Sequence, residues 1–222
     1  ELLRLAQNGK QLADDIYELT AHSGEERFDT IMRAVARDRG VLTKFLAELP
    51  IDRAVQAIFK RAGATPGTTE SEIFDQAARC LSADLASRIA DAYAKGSKKD
   101  LEREPAFRAF AASPTTERFR DVVECFLTDQ GEMNKNLATK KAQAADPEAM
   151  ARLQEIATAG YDATIKSNGL FVADRTARLV RVASRMLTNF AIAKRRRAAL
   201  DYDDLIVRVR QLFVQPGADW IL

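Results

Sequence analysis

Residues 146–197 read DPEAMARLQEIATAGYDATIKSNGLFVADRTARLVRVASRMLTNFAIAKRRR, the longest stretch of the chain without a strong helix breaker. Pro147 fits the first turn of a helix, and after it only Gly160 and Gly169 weaken a helical conformation. An unbroken helix over this stretch would extend over about 80 Å at a rise of ~1.5 Å per residue. We therefore expect one very long helix in the C-terminal part of the fold.

Upstream, apolar residues recur every three or four positions, which is the spacing of amphipathic helices. Five such faces lie within residues 28–35, 41–49, 55–59, 81–93 and 119–127. Residues 206–210 alternate as in a strand, but a wider window from Leu205 to Phe213 fits a helix better. These patterns predict an all-α fold, an irregular array of many helices.

Four short motifs predict helix starts. Ser23–Glu26 and Thr69–Glu72 have the spacing of a capping box, in which a hydroxyl and a carboxylate each bind a free backbone amide. Ser113–Pro114 and Asp146–Pro147 each place a capping side chain before a proline, which is tolerated at the first helical position.

The composition is that of a globular protein, with 46% hydrophobic residues, 30% charged residues and a net charge of +2. No apolar run is long enough to cross a membrane, and the N-terminus has no signal-peptide pattern. Cys80 and Cys125 are isolated, which excludes the common zinc spacings and fits reduced thiols in a cytoplasmic protein. The chain begins at Glu1 and ends on an apolar run at Leu222, so we expect a piece of a longer protein.

No complete active site is predicted. The Gly9–Lys10 dipeptide lacks the first glycine and the hydroxyl of a nucleotide-binding P-loop, because Arg4 and Gln11 occupy those positions. His22 is the only histidine, and its place at a helix start indicates a surface or capping role rather than catalysis. We predict no catalytic residue and no metal ligand.

The densest carboxylate cluster is Asp201, Asp203 and Asp204. Such a cluster can hold Mg²⁺ or perform acid–base chemistry. Asp201 can equally cap a helix that begins at Tyr202, with the other two carboxylates stabilised by the helix dipole in its first turn. Capping is the favoured interpretation, since no histidine or further acid lies nearby.

Eight basic residues and no acidic residue lie between Arg175 and Arg197. On a helix that turns ~100° per residue, an arc of about 60° contains Arg178, Arg181, Arg185 and Arg196. An apolar seam gathers on the other side, from Leu179, Ala183, Met186, Leu187 and Phe190. The basic edge suits phosphate binding, or it is a solvated face neutralised by acids from other helices. Lys135, Lys140 and Lys141 form a second, weaker patch in a stretch that could be a mobile basic loop.

Residues 190–206, FAIAKRRRAALDYDDLI, follow the pattern aromatic-x-x-x-Lys-x-x-x-x-x-Leu-Asp-aromatic-Asp-Asp-Leu. This segment resembles one found shortly before the Walker B motif in UvrD/Rep-type superfamily 1 DNA helicases, above all in the AddA subunits of AddAB helicase–nucleases. The specific match covers the chain from about residue 188 onward. Tyr202 stands where many relatives have Phe, which is a conservative difference.

The resemblance implies that residues 1–198 form a helical insertion of the 1B type, and that residues 199–222 begin the return into the first motor domain. Five residues map onto the family motif, namely Asp201, Tyr202, Asp203, Asp204 and Leu205. For these five residues the resemblance implies only their position at the return into the first motor domain, and no catalytic role. The P-loop and the Walker B acids would lie outside this chain, so ATP and Mg²⁺ belong to the parent protein and no cofactor is expected here.

In the parent protein, the resemblance implies ATP-driven translocation on DNA coupled to a nuclease, in the repair of double-strand breaks. The expected partners are duplex or single-stranded DNA and an AddB-like subunit. The residues predicted to contact DNA are Arg178, Arg181, Arg185, Lys194, Arg195, Arg196 and Arg197. The alternative is a protein–protein scaffold that docks the partner subunit or the rest of the motor.

Overall fold

The computed structural model describes residues 9–197 together with Leu205, Ile206 and Val209. Within these residues there are eleven helices and no strand, so the all-α prediction is confirmed. The helices are α1 (Lys10–Ser23), α2 (Glu25–Arg37), α3 (Arg39–Glu48), α4 (Ile51–Arg61), α5 (Glu70–Ala78), α6 (Ala83–Ala94), α7 (Lys98–Ala112), α8 (Thr116–Glu124), α9 (Lys140–Ala145), α10 (Pro147–Ala151) and α11 (Leu153–Arg196). None of these helices is long and apolar enough to span a membrane.

The predicted long helix is confirmed as α11, which is continuous over 44 residues. Its start differs from the prediction, because Pro147–Ala151 form the separate short helix α10, which ends at Arg152. The predicted domain boundary between residues 198 and 199 lies outside the described residues and stays a prediction. By their contacts, the residues divide into one unit of 1–55 with 177–222 and another of 56–176.

Aromatic side chains form the centre of the 56–176 unit. The rings of Tyr93 and Phe107 meet edge to face at 5.5 Å, and those of Phe107 and Phe126 at 5.8 Å. Tyr93, Phe107 and Phe126 are fully buried, as are Ile89 and Phe119. The apolar faces predicted within residues 81–93 and 119–127 are therefore the walls of this core.

Two glycines of α11 mark positions where other elements approach the helix closely. A Cβ atom on Gly160 would lie 2.3 Å from a methyl carbon of Val123, and one on Gly169 would lie 2.4 Å from the carbonyl oxygen of Ala62. Both distances are shorter than a van der Waals contact allows, so these positions require the absence of a side chain. The sequence predicted that Gly160 and Gly169 weaken the helix, and the structure shows that both allow close packing.

Two of the four predicted helix starts are confirmed. The Thr69 hydroxyl accepts from the amide of Glu72, whose carboxylate accepts from the Thr69 amide at 2.7 Å, which completes a capping box. Asp146 accepts from the amide of Ala149 at 3.0 Å, with Pro147 at the first helical position.

At the other two motifs a helix also begins, but the predicted capping residue is wrong. Ser23 belongs to the last turn of α1, and its hydroxyl donates to the carbonyl of Leu19 at 2.8 Å, so α2 begins after Gly24 without a side-chain cap. At the Ser113–Pro114 motif, α8 begins at Thr116, two residues after Pro114. The Thr115 hydroxyl caps it by accepting from the amide of Arg118. At Ser23 the hydroxyl bonds back into its own helix, whereas at Ser113 the nearby Thr115 takes the capping role.

The unit of residues 1–55 and 177–222 has a smaller core. Phe28 and Met32 of α2 are buried with Val182 of α11. Partly buried apolar side chains surround them, namely Leu12, Ile16, Leu19, Ile31, Val35, Leu179 and Met186. The apolar face predicted within residues 41–49 is only partly covered, since Val41 is 79% exposed and Phe45 is 42% exposed, while Leu42, Leu46 and Leu49 are half-buried.

Candidate nucleic-acid interface

The apolar seam of α11 anchors its C-terminal half. Val182 and Ala183 are buried, and Leu179 and Met186 pack against the core formed with α2. The seam is therefore close to the predicted one but centred on Val182, which was not among the predicted residues. Phe190, predicted as part of the seam, is 45% exposed.

Two of the predicted DNA-contacting arginines bind a carboxylate of the same unit. Arg181 donates to Asp15 of α1 through Nε at 2.7 Å and through Nη2 at 2.8 Å, which is a bidentate pair. Arg178 donates to the same carboxylate at 3.2 Å. Asp15 is only 2% exposed, and the two arginine side chains are about a quarter exposed.

Asp15 therefore neutralises part of the basic stripe, by which we mean the eight basic residues from Arg175 to Arg197. For Arg178 and Arg181 the structure shows the second interpretation of the stripe, in which an acid from another helix balances the charge. The sequence does carry a signal for Asp15, because it shares a helical face with the apolar residues Leu12, Ile16 and Leu19. A carboxylate on an apolar face needs a cationic partner once it is buried.

Four further arginines of the stripe are exposed. We call Arg185, Arg195, Arg196 and Arg197 the exposed arginine cluster. Arg185 and Arg196 differ by about 20° around the helix axis, so they point to the same side of α11. The guanidinium of Arg195 also donates to the carbonyl of Ala191 at 3.4 Å, within its own helix.

Phe190 lies between two cations at this end of α11. The ammonium of Lys194 is 5.2 Å from the centre of its ring, and the guanidinium carbon of Arg39 is 5.6 Å from it. Both distances are within the range of cation–π attraction. Lys194 is half-buried beside an aromatic ring, and Arg39, from α3, is a basic neighbour that helical spacing within α11 could not predict.

The other predicted residues belong to other elements or lie outside the described part. Asp201, Tyr202, Asp203 and Asp204 are not among the described residues, while Leu205 is helical and exposed. Lys135 is in the loop before α9, and Lys140 and Lys141 form its first turn, where a loop was predicted. His22 is exposed, with its ring nitrogen Nδ1 2.9 Å from the carbonyl of Glu18.

The two thiols have the character of structural cysteines. Burial raises the pKa of Cys80, and the negative charge of Glu155 adds to the effect. Burial also raises the pKa of Cys125, against the lowering effect of Arg103. A raised pKa decreases the thiolate fraction and hence reactivity.

The comparisons with known proteins add no relative. No model of a protein family matches the chain, and neither a curated protein nor a solved structure does.

Proposed function

We propose that this chain is the accessory helical region of a UvrD/Rep-type DNA helicase, and that its exposed arginine cluster contacts DNA phosphates. The observation that carries the proposal is the exposure of Arg185, Arg195 and Arg196 on α11 and of Arg197 directly after it. No acidic residue lies between Arg175 and the end of this helix. The resemblance of residues 190–206 to the helicase segment supplies the identity of the motor.

The chemistry of arginine favours phosphate as the partner of this surface. The planar guanidinium pairs bidentately with phosphate oxygens, and contacts of this kind position a protein on DNA without reading its sequence. Lys194, beside the Phe190 ring, adds a further cation at the same end of the helix. We therefore expect binding that depends strongly on salt and weakly on sequence.

The proposal assigns no ATP chemistry to this chain. Gly9 and Lys10 stand at the start of α1, followed by Gln11 where a P-loop needs a hydroxyl, so these residues do not fit a nucleotide–Mg²⁺ site. In the proposed parent protein, ATP hydrolysis, translocation and nuclease activity reside elsewhere. The role of this chain is to supply surface to DNA during the processing of broken ends.

The salt dependence of DNA binding tests the proposal. Replacing all four arginines of the exposed arginine cluster with alanine should lower the slope of log K against log salt by about 2–3, since each phosphate contact on duplex DNA contributes ~0.9. The control removes the same charge from exposed arginines elsewhere, namely Arg53, Arg61, Arg79 and Arg118. If the slope of log K against log salt is the same for the two variants, the exposed arginine cluster does not contact DNA.

A docking scaffold for an AddB-like partner subunit is the second candidate, favoured by exposed apolar side chains. Ile165, Phe171 and Val172 on α11 are each more than half exposed. Apolar groups left in contact with water in this way are typical of surfaces that bind protein. A pull-down of the partner subunit with the Phe171→Asp, Val172→Asp double variant, run beside the DNA titration, separates the two functions.

A further inference from the structure

A polar cavity of about 660 Å³ lies in the 56–176 unit, between the start of α7, the loop before α9 and the first residue of α9. Its size is within the range of small-ligand sites. Met133 and Ala138 are its only apolar lining residues within the described part of the chain. A hydrophobic occupant would leave the remaining polar groups without water or a partner, so the cavity suits a hydrophilic ligand.

One wall of the cavity is held by donors from the helices. The hydroxyl of Tyr93 donates to the carbonyl of Leu137 at 2.8 Å. The guanidinium of Arg103 donates to the carbonyls of Leu137, Cys125 and Asn136 at 2.6, 3.2 and 3.2 Å. Because these bonds fix the loop backbone before a ligand arrives, binding costs less conformational entropy.

The opposite anchor of the loop is Asp100, which is fully buried. The hydroxyl and the amide of Thr139 donate to its two oxygens at 2.5 and 3.1 Å, and the amide of Ser97 donates at 2.8 Å. Burial alone would raise the pKa of Asp100, but the bonds from Thr139 and Ser97 outweigh it and lower the pKa. Asp100 is therefore an ionised carboxylate whose oxygens are occupied within the protein.

Cations dominate what the cavity offers to a ligand. Lys99, Lys135 and Lys140 are exposed at its rim, and they come from α7, the loop and α9 respectively. Arg103 lies deeper, and its three hydrogen bonds go to neutral carbonyls rather than to a carboxylate. Among the described residues of the lining, Glu132 is the one exposed acid. The described lining residues therefore include four cations and two carboxylates, which gives the cavity a net positive charge.

We propose that this cavity binds the phosphate group of a hydrophilic ligand. The three lining lysines come from separate elements, and lysine binds phosphate as a compact point charge. A backbone phosphate of a nucleic acid and a free phosphorylated small molecule share this chemistry. The site belongs to a different unit from the exposed arginine cluster and does not depend on the function proposed above.

Calorimetric titration of the whole chain with inorganic pyrophosphate tests the site. The Lys99→Ala, Lys135→Ala, Lys140→Ala variant should bind pyrophosphate at least about tenfold more weakly. A control with the same charge change uses Lys60, Lys95 and Lys166, which are exposed and do not line the cavity. Glu132→Gln removes the rim carboxylate and should strengthen binding by about two- to fivefold, a gain that a folding defect would not produce.

A parallel titration with a labelled oligothymidylate of about twelve nucleotides distinguishes the two sources of phosphate. If the lysine variant weakens both probes, the ligand is a nucleic acid backbone. If it weakens pyrophosphate alone, the ligand is a free phosphorylated molecule. The proposal is overturned if pyrophosphate does not bind, if the lysine variant and its control lose affinity equally, or if Glu132→Gln weakens binding.

Discussion

The carboxylate of Asp15 binds two arginines of α11, and Asp15→Asn removes its charge while preserving its shape. Three charge-assisted hydrogen bonds depend on that charge, at 2.7, 2.8 and 3.2 Å. Removing one partner of a buried ion pair costs ~3–5 kcal/mol. Water reaches part of each arginine, since Arg178 and Arg181 are 24% and 25% exposed. We therefore expect Asp15→Asn to lower the free energy of unfolding by about 2–3 kcal/mol.

The measurement is urea denaturation followed by circular dichroism, with hydrogen exchange of residues 10–37 to report on α1 and α2. Asp14→Asn is a close control, because it changes the same charge at the neighbouring, exposed position. Exposed substitutions of this kind alter stability by about 0.5 kcal/mol or less. Equal unfolding free energies for the two variants would show that the Asp15 pairs contribute nothing to the fold.

Three further predictions concern the 56–176 unit. Gly160→Ala should destabilise the protein by about 1–3 kcal/mol in thermal or urea denaturation, because its methyl group would overlap Val123, and adding Val123→Ala should recover most of the loss. Thr69→Ala should cost about 1 kcal/mol through the lost capping box, whereas Ser113→Ala should cost less, since Ser113 does not cap α8. Because the pKa of Asp100 is lowered in the folded state, its contribution to stability is complete above its unfolded pKa of about 3.9 and is lost as the pH falls through the folded value. Asp100→Asn should therefore be less stable at pH 7, with a smaller further loss on acidification below pH ~4.

The helical period predicted the elements well because it depends on local spacing. The apolar positions of residues 81–93 and 119–127 became the core, and the stretch without a helix breaker became α11. Helix starts were less predictable. Where two hydroxyls stand close together, as at Ser113 and Thr115, the choice depends on which backbone conformation the packed helices impose.

The candidate sites were harder to predict because they depend on distant residues. Arg181 and Asp15 are separated by 166 positions, so helical spacing could not show that they pair. The lysines of the cavity were hard to predict for the same reason, since Lys99 and Lys135 line one cavity only after α7 and the loop are packed. In both places the residue types were visible in the sequence and the partners were not.

The division of the basic stripe into paired and exposed arginines decides which substitutions report on DNA. Replacing Arg178 or Arg181 would leave Asp15 as a buried carboxylate with one partner fewer, so lost DNA affinity would combine a folding effect with a lost phosphate contact. Arg185 and Arg195–Arg197 are exposed, and their removal disturbs no buried charge within the described residues. Asp15→Asn gives the converse test, since it releases positive charge on α11. If the stripe acts as one electrostatic surface, Asp15→Asn should strengthen DNA binding at low salt while it lowers the free energy of unfolding. If Asp15→Asn lowers both the DNA affinity and the free energy of unfolding, the DNA contact is limited to the exposed arginine cluster.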